Sequence, residues 1–104
     1  MSQPVQGDVW WAEMEEERRP VLVVTRSEAV AALSTVIVAP VTTNVRGIPT
    51  EIALGGDEGL PKPCAASFDN LRPVRRAFLV ERAGRLGPAR RVELCRALSA
   101  LADC

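Results

Sequence analysis

The sequence contains no histidine, and its 104 residues include three cysteines. Histidine is the usual acid–base group near neutral pH and a common metal ligand, so its absence removes many catalytic mechanisms. Cys64, Cys95 and Cys104 are odd in number and form no close pair, which fits neither a disulfide framework nor a zinc site. We therefore expect three reduced thiols in a cytoplasmic protein.

Long apolar runs are also absent, and aromatic residues make up 4% of the chain. No segment approaches the roughly 20 apolar residues that a membrane-spanning helix needs. The first residues lack the basic region and apolar core of a signal peptide. A hydrophobic fraction of 47% is enough for a compact core, so we expect one domain over residues 1–104 with no membrane contact.

The net charge is zero, which argues against a strong uniform field for nucleic acid. Its distribution is uneven, because residues 1–52 hold seven acids and four bases, whereas residues 53–104 hold six acids and nine bases. Twelve of the thirteen bases are arginine, whose planar guanidinium can bind a phosphate through two hydrogen bonds. Ordinary surface charge explains the arginine bias equally well.

Composition and alternation predict a chain dominated by strands. The predicted strands are 9–14, 21–25 opened by Pro20, 35–41 as a central strand buried on both faces, 47–54 and 64–71. A tight solvated connection is expected over 15–17, a short helix capped by Ser27 over 28–33, and a loop over 55–63. Adjacent residues of a strand point to opposite faces, so Trp10 and Trp11 place one ring in the core and the other near the surface.

The C-terminal segment predicts an amphipathic helix. Pro88 suits a first helical position, after a helical turn and short strand predicted over 78–86. The apolar stripe consists of Val92, Leu94, Cys95, Leu98 and Leu101, so Cys95 is expected to pack in the core. The predicted fold is mainly β (α+β): a small, strongly bent antiparallel sheet or barrel with this helix packed on it.

Five short motifs follow one another in a recognisable order. They are Gly7–Trp10, Arg19–Val24, Ala39–Thr43, Ser67–Arg72, and Gly84–Leu86 followed by the terminal helix. Each motif is weak alone, but together they span roughly residues 7–101. In this order the chain resembles the MazF/PemK-type toxin endoribonucleases of type II toxin–antitoxin systems.

The resemblance implies an SH3-like antiparallel β-barrel of the CcdB/MazF kind and a homodimer. It also implies sequence-specific cleavage of single-stranded RNA without metal or other cofactor, and a cognate antitoxin whose disordered tail fills the RNA groove. By motif position, Arg19 is the catalytic arginine and Thr42 the catalytic threonine. The chain departs from the family pattern in its short loop Glu15–Arg18 and in Asn70, which replaces a common glutamine; both departures leave the cut sequence open.

In such a reaction the 2′-hydroxyl of RNA attacks the adjacent phosphate, leaving a 2′,3′-cyclic phosphate and a 5′-hydroxyl. Arg19 can stabilise charge on the phosphate, and a guanidinium stays protonated near neutral pH, so it is a poor free base. Thr42 can hydrogen-bond to the phosphate or to the 2′-hydroxyl. The structural alternatives are a surface charge before a proline for Arg19 and a bond to a neighbouring strand or turn for Thr42.

Further polar and aromatic residues are expected to contact RNA around this pair. They are Thr43, Asn44, Arg46, Asp69, Asn70 and Trp11. The structural alternative is a polar turn for Thr43, Asn44 and Arg46, and a strand end for Asp69 and Asn70. For Trp11 it is packing in the core. Arg72, Arg75 and Arg76 form a second basic cluster that suits an RNA backbone, an acidic antitoxin tail or a solvated loop.

Two other functions remain open at this point. A non-enzymatic CcdB-like toxin would bind DNA gyrase, although such a binder needs no arginine–threonine pair. A non-catalytic RNA-binding barrel would bind RNA and leave it intact. This function is favoured if the short loop Glu15–Arg18 no longer forms the groove.

Overall fold

The computed structural model describes residues 3–102. The strands are β1 (Asp8–Met14), β2 (Glu17–Val23), β3 (Thr35–Thr42), β4 (Glu51–Leu54), β5 (Cys64–Ser67), β6 (Arg72–Arg75) and β7 (Leu79–Arg85). The helices are α1 (Ser27–Val30) and α2 (Arg91–Leu101), with 3₁₀ turns at Gly56–Glu58, Phe68–Asn70, Arg76–Phe78 and Pro88–Arg90. The strands pair antiparallel in the order β4-β5-β3-β2-β1-β7, and β6 also pairs with β3. The mainly β prediction, a curled antiparallel sheet with a C-terminal helix, is confirmed.

The first three strands send alternate side chains into two separate cores, as the pleat of a strand requires. The core beneath α2 includes Val9, Leu22, Ala39, Phe68 and Leu94. The core on the other face includes Trp10, Val21, Val23, Val36 and Val38. Trp10 is buried and donates from Nε1 to Asp8 Oδ2 at 3.2 Å, whereas Trp11 is half-buried on the opposite face. The predicted division of the tryptophan pair is therefore confirmed.

β2 and β3 differ from prediction in their boundaries and burial. β2 begins at Glu17, so Pro20 lies inside the strand and not at its first position. This is tolerated because residues 17–20 pair with β1 alone, which leaves one side of the strand free of ladder bonds. β3 is exposed at Thr35 and Ile37, so burial on both faces is wrong for its first half. The core beneath α2 does not extend to that end of the strand.

β5 and β6 lie in succession along β3, with a turn between them. Ala66 is opposite Val41 and Arg72 is opposite Val38. The predicted single strand over 64–71 is therefore wrong beyond residue 67, and β6 was missed. The fully buried ring of Phe68 anchors the turn, and burying such a side chain contributes about 1.5–3 kcal/mol.

The two helices also differ from prediction. α1 ends at Val30, and Ser27 does not cap it, because Ser27 Oγ instead accepts a bond from the Gln6 amide at 3.0 Å. The predicted strand over 47–54 is shortened to β4, because residues 47–48 have no regular structure and residues 49–50 form a turn. The helical turn and strand predicted over 78–86 are seen as a 3₁₀ turn followed by β7. Pro88 opens a 3₁₀ turn and not α2 itself.

The buried face of α2 is centred on Leu94 and Ala97, so the predicted stripe is wrong in part. Val92 is 51% exposed and Cys95 is also exposed. Residues spaced by three drift about 60° per step around an α-helix, so the predicted set cannot stay on one face. Cys104 lies outside the described residues. Neither helix within residues 3–102 has the length and apolar character that a bilayer crossing requires.

Candidate active site

A cleft of about 1020 Å³ opens where the pairing of β2 with β3 stops. The last residue pair of that ladder is Val21 with Pro40. Pro20 and Pro40 both line the cleft, and neither has an N–H to donate to a ladder. The strands thus lose their mutual hydrogen bonds at this end and leave a concave surface between them.

Arg19 and Thr42 lie on facing strands at this cleft. Arg19 is two residues before Val21, and Thr42 is two residues after Pro40, so each lies just beyond the last residue pair of the ladder. Both residues line the cleft. The geometry therefore brings a guanidinium and a hydroxyl to one solvent-accessible surface.

The guanidinium of Arg19 is held from one side. Its Nε donates to Glu17 Oε2 at 3.1 Å, and its side chain is 58% exposed. Within residues 3–102 its two terminal nitrogens make no hydrogen bond. The fork that would grip a phosphate is therefore available to a ligand.

Thr42 is half-buried, and its hydroxyl has one partner among the described residues. Oγ1 accepts the Asn44 amide at 3.0 Å, so the turn bond named as the structural alternative is present. A hydroxyl can accept and donate at once, and the proton of Thr42 remains free to donate to an oxygen in the cleft. Thr42 can therefore accept the turn hydrogen bond and donate to a ligand at the same time.

The remaining predicted contacts divide into two groups. Trp11, Thr43, Asp69 and Asn70 line the cleft together with Arg19 and Thr42. Asp69 Oδ2 accepts from Thr50 Oγ1 at 2.7 Å, and Asn70 Nδ2 donates to Ser67 Oγ at 2.9 Å, so both polar ends are positioned by neighbours.

Asn44 and Arg46 lie outside the cleft lining. They follow β3 in an exposed loop, where the Arg46 amide donates to Glu51 Oε1 at 2.9 Å. The structure therefore does not bring these two residues to the cleft. Of the second basic cluster, Arg72 lines the cleft, while Arg75 and Arg76 line a separate surface depression.

Sequence reasoning missed Lys62, which also lines the cleft. Its signal was its isolation as the single lysine between Pro61 and Pro63, in a segment interpreted only as loop. With Lys62, three cations and the one carboxylate of Asp69 line the cleft. Cationic side chains that line a cleft give a polyanionic ligand charged groups to bind.

Cys64 forms part of the cleft wall, but its chemistry is that of a buried thiol. Burial raises the pKa of the Cys64 thiol, and the nearby Glu58 carboxylate raises it further. Its Sγ contacts the Leu54 carbonyl oxygen at 3.7 Å. A protonated, buried thiol is a poor nucleophile, so Cys64 is a structural part of the wall.

Residues 5–102 match the sequence model of a family described as PemK-like, MazF-like toxins of type II toxin–antitoxin systems. The chain belongs to this family. The resemblance carried by the five motifs is therefore confirmed.

Individual relatives agree with this assignment. The chain is 42% identical over 103 residues to the probable endoribonuclease MazF5 of Mycobacterium tuberculosis, covering 97% of this chain and 94% of the relative. It is 35% identical over 99 residues to the probable endoribonuclease MazF2 of the same species, covering 94% and 97%. Among solved structures, the Mycobacterium tuberculosis toxin MazF-mt6 superimposes with a TM-score of 0.84 at 32% identity, covering 90% of this chain and 94% of that one.

Proposed function

We propose that this MazF-like toxin is a sequence-specific, metal-independent endoribonuclease that cleaves single-stranded RNA. The observation that carries the proposal is that Arg19 and Thr42 both line the cleft at the open end of the β2–β3 ladder. Relatives that cover nearly the whole chain are named as endoribonucleases. The cationic side chains that line the cleft suit a phosphodiester chain.

In the proposed reaction the 2′-oxygen forms a bond to phosphorus while the bond from phosphorus to the 5′-oxygen breaks. The 2′-hydroxyl loses its proton to water, and the leaving 5′-oxygen takes a proton from water. Negative charge grows on the non-bridging oxygens, and the free terminal nitrogens of Arg19 are placed to donate to them. The hydroxyl of Thr42 donates from the facing strand.

Metal independence is part of this proposal. Within residues 3–102, no group of three or more His, Cys, Asp or Glu side chains is arranged to hold a metal ion. The proposed chemistry needs donors and positive charge, and an arginine with a hydroxyl supplies both.

The proposal is tested by incubating purified, antitoxin-free protein with a mixed pool of single-stranded transcripts in excess chelator and mapping the new 5′ ends. We expect defined cuts with 5′-hydroxyl ends. Arg19→Ala and Thr42→Val should each slow cleavage about 10²–10³-fold while the protein stays folded. Arg96→Ala is a matched control, because Arg96 is an exposed arginine outside the cleft.

The alternatives give different results in the same experiment. RNA that is bound but left intact by wild-type protein would indicate the non-catalytic barrel. Inhibition of gyrase without RNA cleavage would indicate a CcdB-like toxin. Cleavage that survives Arg19→Ala would refute the assigned site.

The proposed partners follow from the family and the cleft. The family description places the chain in a toxin–antitoxin system, so we propose a cognate antitoxin whose acidic tail competes with RNA for the cleft cations. We further propose that the single-domain chain forms a cytoplasmic homodimer. Sedimentation at micromolar concentration tests the dimer, and salt-sensitive inhibition by the antitoxin tests the competition.

A further inference from the structure

The three cations of the cleft differ in how far they are already neutralised. Arg19 is 3.1 Å from Glu17 Oε2, and Arg72 is 3.7 Å from Glu15 Oε1. Lys62 has no carboxylate partner within 4.0 Å among residues 3–102. A polyanion that enters the cleft therefore meets Lys62 as its one fully uncompensated positive charge within the described residues.

Lys62 lies across β3 from Arg19. β3 is paired with β2 on one side and with β5 on the other, and Lys62 is two residues before β5 begins. The site thus has Arg19 on the β2 side, Thr42 on β3 between, and Lys62 on the β5 side. An RNA chain whose scissile phosphate lies between Arg19 and Thr42 can extend across β3 toward Lys62.

The backbone around Lys62 is restrained, which makes its position reproducible. Pro61 and Pro63 have fixed φ angles, and each also restricts the backbone conformation of the residue before it. Leu60 and Cys64 on either side are buried in the core beneath α2. The exposed ammonium is therefore presented from a short segment that is anchored at both ends.

We propose that Lys62 binds a phosphate of the RNA other than the scissile one, and so sets affinity and not the rate of the chemical step. This inference rests on the proposed function. A lysine ammonium is a compact point charge that accepts many phosphate orientations, unlike the bidentate fork expected at the scissile linkage. A contact made equally in the ground state and the transition state lowers KM and leaves kcat unchanged.

The test uses Lys62→Gln on an RNA oligonucleotide that contains the mapped cut sequence. We expect KM to rise about tenfold with kcat within a factor of two of wild type. The slope of log affinity against log salt should fall by about 0.7, the value for one phosphate contact on a single strand. Lys62→Arg should restore most of the affinity, and Arg96→Gln, which removes an exposed charge outside the cleft, should change neither quantity.

Binding to the same oligonucleotide with a 2′-deoxyribose at the cut position separates this inference from the proposed function. If wild-type protein binds single-stranded RNA but never cuts it even with every ribose intact, the endoribonuclease proposal fails, and the salt slope of Lys62→Gln for binding that RNA still decides the phosphate contact. If wild-type protein cuts and Lys62→Gln shows unchanged KM and salt slope, the Lys62 contact is overturned. A fall in kcat with unchanged KM overturns it too. Lys62→Met serves as the second neutral variant if Lys62→Gln does not fold.

Discussion

Arg90 connects the start of the C-terminal helix to the loop that forms one wall of the cleft. Its guanidinium donates to Glu58 Oε2 at 3.1 Å, to both carboxylate oxygens of Glu93 at 2.8 Å, and to the Ala53 carbonyl oxygen at 2.6 Å. Glu58 is only 4% exposed, and its other oxygen accepts the Gly55 amide at 2.7 Å. Arg90 is therefore the counter-charge of a buried carboxylate.

Replacing Arg90 with methionine leaves Glu58 buried without that charge. Removing one partner of a buried ion pair typically costs about 3–5 kcal/mol. The side chain of Arg90 is 31% exposed, so water replaces part of the lost interaction and we expect about 2–3 kcal/mol. In a domain of this size that corresponds to a fall in Tm of about 10–20 °C.

Thermal unfolding followed by circular dichroism at pH 7 measures this loss, with Arg96→Met, which removes an exposed arginine of α2, as the control. Glu58→Gln combined with Arg90→Met should be less destabilised than Arg90→Met alone, because no buried charge remains. Equal Tm values for Arg90→Met and Arg96→Met would refute the reasoning. So would a double variant that is no more stable than Arg90→Met.

The same network predicts a pH dependence. The hydrogen bond from Arg90 is the main cause that lowers the pKa of Glu93 below its usual 4.5. A depressed folded-state pKa stabilises the protein above the unfolded value, and this stabilisation disappears as the pH falls below 4.5 through the folded value. Arg90→Met should therefore lose less stability than wild type between pH 5 and the acid limit of the titration.

Three further predictions concern the turn, the loop and the thiols, and a fourth concerns the cleft. Glu16 has a positive φ of 71° in the β1–β2 turn, so Glu16→Gly should raise stability by about 0.5–1 kcal/mol in urea unfolding, and an unchanged midpoint would contradict this. Gly59 has φ 82°, and a Cβ there would lie 2.0 Å from a backbone oxygen of β7, so Gly59→Ala should cost about 2 kcal/mol or more in the same assay. In a Cys104→Ser background, Cys95 should react quickly with a thiol reagent at pH 8, and Cys64, buried and raised in pKa, only on unfolding; equal rates would contradict the burial. Thr42→Ser should keep most RNA cleavage and Thr42→Val should lose it, whereas equal activity would remove the hydroxyl from the mechanism.

The strands were predictable where β-favouring residues or an apolar run dominate the segment, as in β1 and β3. The failures occur where a single tertiary contact overrides the local pattern. Phe68 turns the chain into the core and interrupts a segment whose composition is that of one strand. On α2 the apolar residues outnumber the positions that the sheet can cover, so the sequence alone could not show that Leu94 and Ala97, and not Cys95, are buried.

The candidate site shows the same division. Arg19 and Thr42 were identified by their positions in two of the motifs that carry the family resemblance, Arg19–Val24 and Ala39–Thr43. Lys62 carried no such pattern and lies far from both residues in the sequence. Its place in the cleft depends on the pairing of β5 with β3, a long-range contact that local reasoning does not supply.

The sequence by itself determined the family, the predominance of strands and the two residues with the strongest claim to catalysis, because these depend on residue types at short spacings. Only the tertiary structure decided that Asn44 and Arg46 lie outside the cleft, that Glu15 and Glu17 neutralise two of its arginines, and that Lys62 completes it. Those outcomes depend on strand register and on where the β2–β3 ladder ends, and both are set by packing between segments distant in the chain.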